Sequence, residues 1–251
     1  MSDEPEQSVM AADRRHLSAI ANEIAFITTG AVVHLFYWAV VVLLLQLIAG
    51  GASARQFRAG EFDYYALALS WSPTYCVSKA GENDTAQCAP GRHFAFVVHG
   101  LWPQFESGWP ENCATEDATV PEAEIAAMLP IMPSRQLMIH EWKKHGSCSG
   151  LAPADYFAKT RALFERIKIP ARYLSPNTDL LVTPAQVIDD FVKTNPDLAA
   201  AMVSLQCGNR SDRGRLSDLR VCFDRQGALR ACGENERRQC RAKTLVLPRV
   251  R

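Results

Sequence analysis

The sequence predicts an α+β fold, because strand-like and helix-like segments occur along the chain without alternating regularly. The 251 residues are 48% hydrophobic and 22% charged, which is the composition of an ordinary globular protein with a core. Eight cysteines follow an apolar leader, and this even number favours disulfides formed in an oxidising compartment over free buried thiols. No two of these cysteines form a CxxC pair, which disfavours a zinc cluster.

Residues 1–54 are predicted to be an N-terminal leader. The segment from Ala31 to Ala49 is nearly all apolar, and Ala52-Ser53-Ala54 forms an A-x-A site. We therefore expect a secretory signal cleaved after Ala54, which leaves residues 55–251 as a single domain. An uncleaved membrane anchor is the alternative, since the apolar segment is just long enough to span a bilayer. With cleavage, we expect a secreted or periplasmic protein without stable membrane association.

Alternation of apolar side chains predicts the strands. The first is Phe62–Trp71, where Tyr65, Leu67 and Leu69 share a face with Trp71. The second is His93–His99, a largely buried strand that ends at Gly100. The later predicted strands are Leu219–Asp224 and Leu229–Cys232, which flank a hairpin-like turn at Arg225-Gln226-Gly227, and Leu245–Leu247.

Capping residues and helical spacing predict the helices. Thr119 is the predicted cap of a short helix with Pro121 near its start. A second helix runs from Arg135 to His145 and is stopped by Gly146. The other predicted helices are one from Pro153, with apolar residues at helical spacing as far as Ile167, and one from Thr183-Pro184 to Lys193, closed by Asn195-Pro196. We expect the aromatic residues on these helices to pack in the core.

The net charge is too small to identify a partner. It is zero for the whole chain. Removing residues 1–54, which hold two arginines and five acidic residues, leaves 25 basic and 22 acidic side chains. This surplus is compatible with an anionic substrate but does not argue for one. The sequence also lacks the arginine-rich block of proteins that coat duplex nucleic acid.

Two short segments hold the residues that predict chemistry: FVVHGLWP from Phe96 to Pro103, and HEWKKHGSC from His140 to Cys148. On a helix, His140, Glu141, Lys144 and His145 lie on one arc. Glu141 and His145 are four residues apart, so we expect the carboxylate to raise the pKa of the imidazole. Lys144 supplies the positive charge that a phosphoryl transition state needs.

A second histidine completes a potential acid and base pair. His99 is predicted at the end of a strand, and two imidazoles on separate segments can flank one phosphorus as base and acid. RNA carries its own nucleophile, the 2′-hydroxyl, so such an enzyme needs no metal ion or other cofactor. Trp102 is a candidate platform on which a base stacks.

Two other interpretations remain open at this point. The segment HEWKKH is similar to the zinc motif HExxH, but its second histidine is one residue too late and is displaced by about 100° around the helix. The segment could also be a structural helix with a charged surface, or part of a domain that binds RNA without cutting it.

Both segments resemble the active-site segments of the ribonuclease T2 family of secreted endoribonucleases. The resemblance extends to FDYYALALSWSPTYC, which is similar to the family's opening strand. It also includes CSGLAPADYF, which is similar to bacterial-type members, and VCFD near Cys222. It covers the chain from about Phe62 to about Val246.

The resemblance implies a central antiparallel sheet with helices packed around it, and cleavage of single-stranded RNA through a 2′,3′-cyclic phosphate by a monomeric enzyme. It implies that His145 is the base and His99 the acid. Glu141 and Lys144 would stabilise the phosphorane, His140 would hold the phosphate, and Trp102 would pack against the base. It also implies the disulfides Cys76–Cys88, Cys113–Cys148, Cys207–Cys240 and Cys222–Cys232.

The sequence departs from the family near the base site. Several family members place an aspartate that reads the base after Trp102-Pro103, and this chain has Gln104 there. The residues before His140 are Leu137, Met138 and Ile139, where aromatic residues are common. We therefore expect Gln104 to contact the base with low base specificity.

Overall fold

The structure is a computed structural model and describes residues 37–38, 57–207, 214–237 and 240–250. The predicted leader lies outside these ranges apart from Tyr37 and Trp38, so its cleavage after Ala54 stays a prediction. Backbone contacts separate Met1–Arg55 from Gln56–Arg251, and the second unit carries every element described below. Among the described residues, no helix combines the length and apolar character needed to span a bilayer.

The strands of the described chain form two antiparallel sheets. They are β1 (Tyr64–Trp71), β2 (Phe96–Gln104), β3 (Leu180–Val182), β4 (Val203–Cys207), β5 (Leu216–Asp224) and β6 (Leu245–Leu247). The larger sheet has the order β2-β1-β5-β4, and β3 pairs with β6. The predicted α+β fold with a central antiparallel sheet is therefore confirmed.

Six helices accompany the sheets in the described ranges. They are α1 (Ser72–Cys76), α2 (Thr85–Cys88), α3 (Glu122–Met128), α4 (Arg135–Lys144), α5 (Pro153–Glu165) and α6 (Pro184–Thr194). The Thr183 side chain caps α6 in a capping box with Gln186, as Thr-Pro before an amphipathic run predicts. Short 3₁₀ turns include Gly146–Ser149 directly after α4.

The two faces of β1 have different partners. Tyr65, Leu67, Leu69 and Trp71 join the main core, where aromatic residues of α4 and α5 are also buried, as predicted. The intervening residues point to the other face because side chains alternate along a strand. There Ala68 pairs with Arg220 and Ser70 pairs with Asp218 across the β1–β5 ladder. This second face carries the polar groups of the candidate site.

Several predicted boundaries were wrong. Strand β2 begins at Phe96 and continues to Gln104, so His99 lies within the strand and not at its end. Pro103 is tolerated in β2 because β2 is an edge strand. On the side of β2 that faces no other strand, the N–H group that proline lacks is not needed for a hydrogen bond between strands.

Two further local predictions also need correction. Pro121, and not Thr119, occupies the N-cap position of α3. The turn after β5 forms as predicted, but its return segment makes only a single bridge, between Phe223 and Leu229. Strands β3 and β4 were not predicted. Strand β3 has only three residues, whereas β4 does alternate apolar and polar residues in VSLQC, a signal that the sequence analysis missed.

All four implied disulfides are present: Cys76–Cys88, Cys113–Cys148, Cys207–Cys240 and Cys222–Cys232. The second of these joins the loop after β2 to the 3₁₀ turn after α4. In the same region, the backbone N–H of Asn112 donates to the carbonyl of Lys144 at 2.9 Å. Trp142 Nε1 also donates to the Asp117 carbonyl in this loop at 2.9 Å, so a disulfide and two hydrogen bonds link the loop to the end of α4 and the turn that follows.

Candidate active site

A β-bulge in β2 presents His99. Along the β1–β2 ladder, Ala68 pairs with Gly100 and Leu69 pairs with Val98, so His99 is an extra residue without a partner on β1. A bulge bends the strand and redirects the side chain of the extra residue. About a third of the His99 side chain (34%) remains exposed.

The end of α4 presents the other candidate residues. The Ser134 side chain caps the start of α4 by accepting a hydrogen bond from the Leu137 N–H. Lys144 is the last helical residue, and His145 is the C-cap residue with φ −120° and ψ −50°. The helix therefore ends one residue before the predicted boundary, and His145 turns away from the continuing helical path.

One pocket of about 420 Å³ brings the two segments together. Six of the seven residues predicted to act in catalysis, phosphate binding or base binding line it, namely His99, Trp102, His140, Glu141, Lys144 and His145. The helical-wheel prediction that the last four share a surface is thus consistent with the structure. Three residues that were not predicted as functional, Trp109, Leu137 and Arg220, also line the pocket.

Glu141 connects the two segments from the floor of the pocket. It is 2% exposed, and its Oε2 accepts a hydrogen bond from Trp102 Nε1 at 2.6 Å. Its Oε1 lies 3.7 Å from His99 Nε2. Burial raises the pKa of Glu141, although His99 and the Trp102 hydrogen bond oppose this shift. A carboxylate is thus held beside the imidazole of the other segment.

Gly100 makes this approach of β2 and α4 feasible. A Cβ atom at this position would overlap Glu141 Oε2 and Trp102 Nε1. Glycine is therefore required by the close approach of a side chain and not by its backbone angle.

His99 has a raised pKa. Burial lowers it, but the hydrogen-bonded carboxylate of Asp218 and the charge of Glu141 raise it by more. His99 Nδ1 lies 3.1 Å from Ser70 Oγ and 3.5 Å from Asp218 Oδ1. Imidazolium is favoured here because two carboxylates surround the ring.

His145 has the opposite shift. Burial and the positive charges of Lys144 and the other cationic groups lower its pKa to about 3. The sequence-based expectation that Glu141 raises the pKa of His145 was wrong, because the Glu141 carboxylate faces Trp102 and His99 instead. His145 Nδ1 is buried and finds no hydrogen-bond partner within the described ranges.

Trp102 is an internal part of the site. Only 9% of it is exposed, the Arg220 guanidinium lies 4.6 Å from the ring centroid, and the His145 ring is 5.2 Å away. These contacts leave a small part of the ring exposed, and the packing of a base against Trp102 stays a prediction. Trp109, which is 49% exposed and lines the same pocket, is the accessible aromatic residue.

Gln104 does not reach the pocket. It is 3% exposed, its Nε2 donates to the Pro103 carbonyl, and its Oε1 accepts from Asn235 Nδ2 at 3.2 Å. Both ends of the amide are thus occupied within the protein. Gln104 is not among the residues that line the pocket, and its contact with a base stays a prediction that this arrangement does not support.

Arg220 adds a cation that the sequence did not single out. Its Nη1 donates to both carboxylate oxygens of Glu236 at 3.0 Å, and Glu236 is fully buried. The predicted strand began at Leu219 and so omitted Asp218. Alternation along β5 could have placed Asp218 and Arg220 on one face, but nothing local indicated that this face met His99.

Within the described part of the chain, no three His, Cys, Asp or Glu residues are grouped in a way that could hold a metal ion. The residues that line the pocket combine cations with imidazoles. Such a set of groups suits an anionic ligand.

The chain matches the Ribonuclease T2 family over residues 62–232. It is 44% identical to a protein named "Ribonuclease" from Aeromonas hydrophila over 138 residues, which cover 53% of this chain and 60% of the relative. It is 33% identical to a "Probable ribonuclease" from Haemophilus influenzae over 182 residues, which cover 68% of this chain and 61% of the relative. The chain thus spans about three fifths of the length of these two relatives.

Solved structures show the same fold. An RNase-related protein from Calystegia sepium superimposes with a TM-score of 0.60 at 22% identity, covering 76% of this chain and 99% of that chain. RNase NT in complex with 5′-AMP superimposes with a TM-score of 0.51 at 23% identity, covering 69% of this chain and 96% of that chain.

Proposed function

Because the chain belongs to the ribonuclease T2 family, we propose that it is an endoribonuclease that cleaves single-stranded RNA without a metal ion. The reaction is a transphosphorylation that forms a 2′,3′-cyclic phosphate, followed by hydrolysis to a 3′-phosphate.

The observation that carries the proposal is the pair of imidazoles with opposed pKa shifts in one pocket. The pKa of His145 is lowered to about 3, so its ring is neutral near pH 7 and can accept a proton. The pKa of His99 is raised, which favours the form that donates one. Two titratable groups whose environments separate their pKa values are suited to base and acid roles.

In the first step His145 takes the proton of the RNA 2′-hydroxyl. The 2′-oxygen attacks the adjacent phosphorus, and the bond from phosphorus to the 5′-oxygen breaks. His99 Nε2 gives its proton to the departing 5′-oxygen. The bound phosphate favours a protonated His145, because a nearby negative charge raises the pKa of an imidazole.

The surrounding charges stabilise the phosphorane. Lys144 provides a cation at the pocket surface, and His140 lies one helical turn before it. Arg220 adds a second permanent cation that is held by Glu236. Groups that are already oriented toward the developing charge lower the barrier, because they need no reorganisation during the reaction. Glu141 holds Trp102 and faces His99.

In the second step the roles are exchanged. His99, now neutral, accepts a proton from water, and the resulting hydroxide attacks the cyclic phosphate. The bond between phosphorus and the 2′-oxygen breaks, and His145, now protonated, gives its proton to that oxygen. The product carries a 3′-phosphate, and both histidines return to their starting states.

Low base specificity is part of the proposal. The side-chain amide of Gln104 is hydrogen-bonded to Pro103 through its nitrogen and to Asn235 through its oxygen, so neither atom is available to a base. Trp109 offers an exposed aromatic ring, and stacking discriminates weakly between bases. The complex of RNase NT with 5′-AMP is consistent with a nucleotide ligand in this fold. We further propose that the enzyme is a secreted or periplasmic monomer.

An end-group assay tests the proposal. The purified protein is incubated with single-stranded RNA in EDTA, and the new ends are identified. We expect cleavage that leaves 2′,3′-cyclic phosphate first and 3′-phosphate later. Loss of cleavage in EDTA would indicate a metal-dependent hydrolase, and binding without cleavage would indicate an RNA-binding protein. Either result contradicts the proposal.

Two variants and a matched control complete the assay. We expect His99→Ala and His145→Ala each to lower the rate by about 10²–10⁴-fold, the usual contribution of a general acid or base. His93 lies outside the pocket, so His93→Asn should cleave RNA at the normal rate. The circular dichroism spectrum of each variant checks that the chain still folds.

A further inference from the structure

Two polar side chains hold His99 on the side away from Glu141. Ser70 Oγ donates to Asp218 Oδ1 at 2.6 Å and lies 3.1 Å from His99 Nδ1. Because the Ser70 hydroxyl proton is directed to Asp218, the Ser70 oxygen can only accept a hydrogen bond from His99. His99 therefore carries a hydrogen on Nδ1, which it donates to Ser70 Oγ. The Ser70 hydroxyl in turn donates to Asp218.

Three neighbouring strands provide this arrangement. Ser70 on β1 and Asp218 on β5 are direct cross-strand partners, so their side chains lie side by side on one face. His99 reaches the same face from the bulge in β2. Asp218 is largely buried, with 14% of its side chain exposed. Groups held on paired strands are positioned more precisely than groups on loops.

We propose that Ser70 and Asp218 are positioning residues for His99. They hold the Nδ1–H group, so that Nε2 is the atom that gives a proton to the departing 5′-oxygen and accepts one from water in the second step. This inference rests on the proposed function, because it requires His99 to be the acid of the cleavage step.

The other charged groups around His99 act at different positions. Glu141 Oε1 faces Nε2 at 3.7 Å, whereas Asp218 faces Nδ1. Arg220 lies beside Asp218, with 4.0 Å between Nη2 and Oδ2. Beyond Ser70, a small cavity that His99 also lines contains Tyr75 and Asp84, whose side chains are hydrogen-bonded to each other.

The His145 ring lies 5.2 Å from the Trp102 ring, and burial and nearby cations lower its pKa to about 3. Asp218 is thus the carboxylate that acts on Nδ1. Its removal leaves Glu141 as the carboxylate at the reacting nitrogen.

The decisive variants are Asp218→Asn and Ser70→Ala. Each should lower kcat by about 10- to 100-fold, which is the effect of removing the hydrogen-bond partner that orients a metal-binding histidine. KM should change little for Asp218→Asn, because Asp218 does not line the pocket. The pH above which activity is lost should move to lower pH, because the His99 imidazolium loses its carboxylate. Ser70→Thr keeps the hydroxyl and should restore most of the rate.

NMR titration of the histidine ring protons provides a readout that a merely structural role would not change. We expect the His99 pKa to fall in Asp218→Asn and in Ser70→Ala. Asp190→Asn is the matched control. Like Asp218, Asp190 accepts a hydrogen bond from a hydroxyl group, that of Tyr173 at 2.7 Å, and it lies outside the pocket. It should leave the His99 titration and kcat unchanged.

The outcomes separate the two proposals. A wild-type protein that cleaves no RNA overturns both. Cleavage by the wild type, with an unchanged His99 titration and pH profile in the two folded variants, overturns the positioning role alone. A shift in both readouts for both variants supports it.

Discussion

At the scale of single residues, two identical side chains acquire different chemistry from their surroundings. His99 lies between carboxylates, Asp218 at one nitrogen and Glu141 at the other. His145 is buried beside Lys144 and faces no carboxylate partner within hydrogen-bonding distance in the described ranges. A neutral base and a charged acid can therefore coexist at one pH, which transphosphorylation requires.

The lowered pKa of His145 predicts a loss of stability in acid. An unfolded histidine takes up a proton near pH 6.5, whereas folded His145 remains neutral down to about pH 3. The contribution of His145 to stability is therefore complete above pH 6.5 and is lost as the pH falls toward 3. Between pH 7 and pH 4, the free energy of unfolding should fall by roughly 3 kcal/mol more in the wild type than in His145→Asn.

Urea denaturation at the two pH values measures this difference. The other acidic and basic groups titrate in both proteins, so their effects cancel in the comparison. Equal losses in the two proteins would show that His145 has an ordinary pKa in the folded state, and this would remove the basis for its role as the neutral base.

At the scale of elements, the site depends on how closely β2 approaches α4. The bulge at His99 and the glycine that follows it bring the backbone of β2 against the Glu141 carboxylate. The hydrogen bond from Trp102 to Glu141 closes this contact. The glycine in the segment FVVHGLWP is thus explained by packing against the second segment.

Gly100→Ala tests this close approach. The added methyl group must displace Glu141 or Trp102, so we expect a loss of about 1–3 kcal/mol in stability and a fall in kcat of roughly a hundredfold. Gly91→Ala is the matched control, because a Cβ there meets open space at φ +84°. It should cost about 1–2 kcal/mol through backbone strain and leave kcat unchanged. A normal kcat for Gly100→Ala would contradict the account.

The elements also show what sequence periodicity can predict. Strand β1 and helices α4, α5 and α6 were predicted because each has a clear period and a definite stop, such as the capping box at Thr183. Strand β2 was misplaced because its bulge and Pro103 interrupt the alternation. The pairing of Ser70 with Asp218 depends on register between strands far apart in sequence, and no local pattern encodes it.

At the scale of the whole molecule, disulfides and the sheet hold the segment of His99 against the segment of His145. Cys113–Cys148 links the loop after β2 to the end of α4, with a sequence separation of 35. Cys207–Cys240 has a similar separation of 33 but lies at the end of β4. Because loop length determines the entropic effect, each should contribute about 4 kcal/mol to stability.

The two disulfides should nevertheless differ in their effect on the rate. Replacing Cys113 and Cys148 together by alanine should lower both stability and kcat, because the loop is released from the end of α4 that carries Lys144 and His145. Replacing Cys207 and Cys240 together should lower stability by a similar amount and leave kcat nearly normal. Thermal unfolding and initial rates, measured well below the unfolding temperature, test this. Equal effects on kcat would contradict it.

The sequence identified much of the candidate site through its two segments, and the resemblance to a family assigned the roles. His99, Glu141, Lys144 and His145 line one pocket, as expected, because α4 carries Glu141 and Lys144 and His145 directly follows it as the C-cap residue. The burial of Gln104 and Trp102 could not be predicted, because it depends on distant partners such as Asn235 and Arg220.

The central claim is that His99 is the acid and His145 the base of RNA cleavage. Its most direct test uses a dinucleotide whose 5′-oxygen is replaced by sulfur, because a thiolate departs without a proton. We predict that His99→Ala cleaves the sulfur substrate at nearly the wild-type rate, while it cleaves the oxygen substrate about 10²–10⁴-fold more slowly. His145→Ala should be slow on both substrates. Rescue of His145→Ala with no rescue of His99→Ala would reverse the assignment and contradict the account.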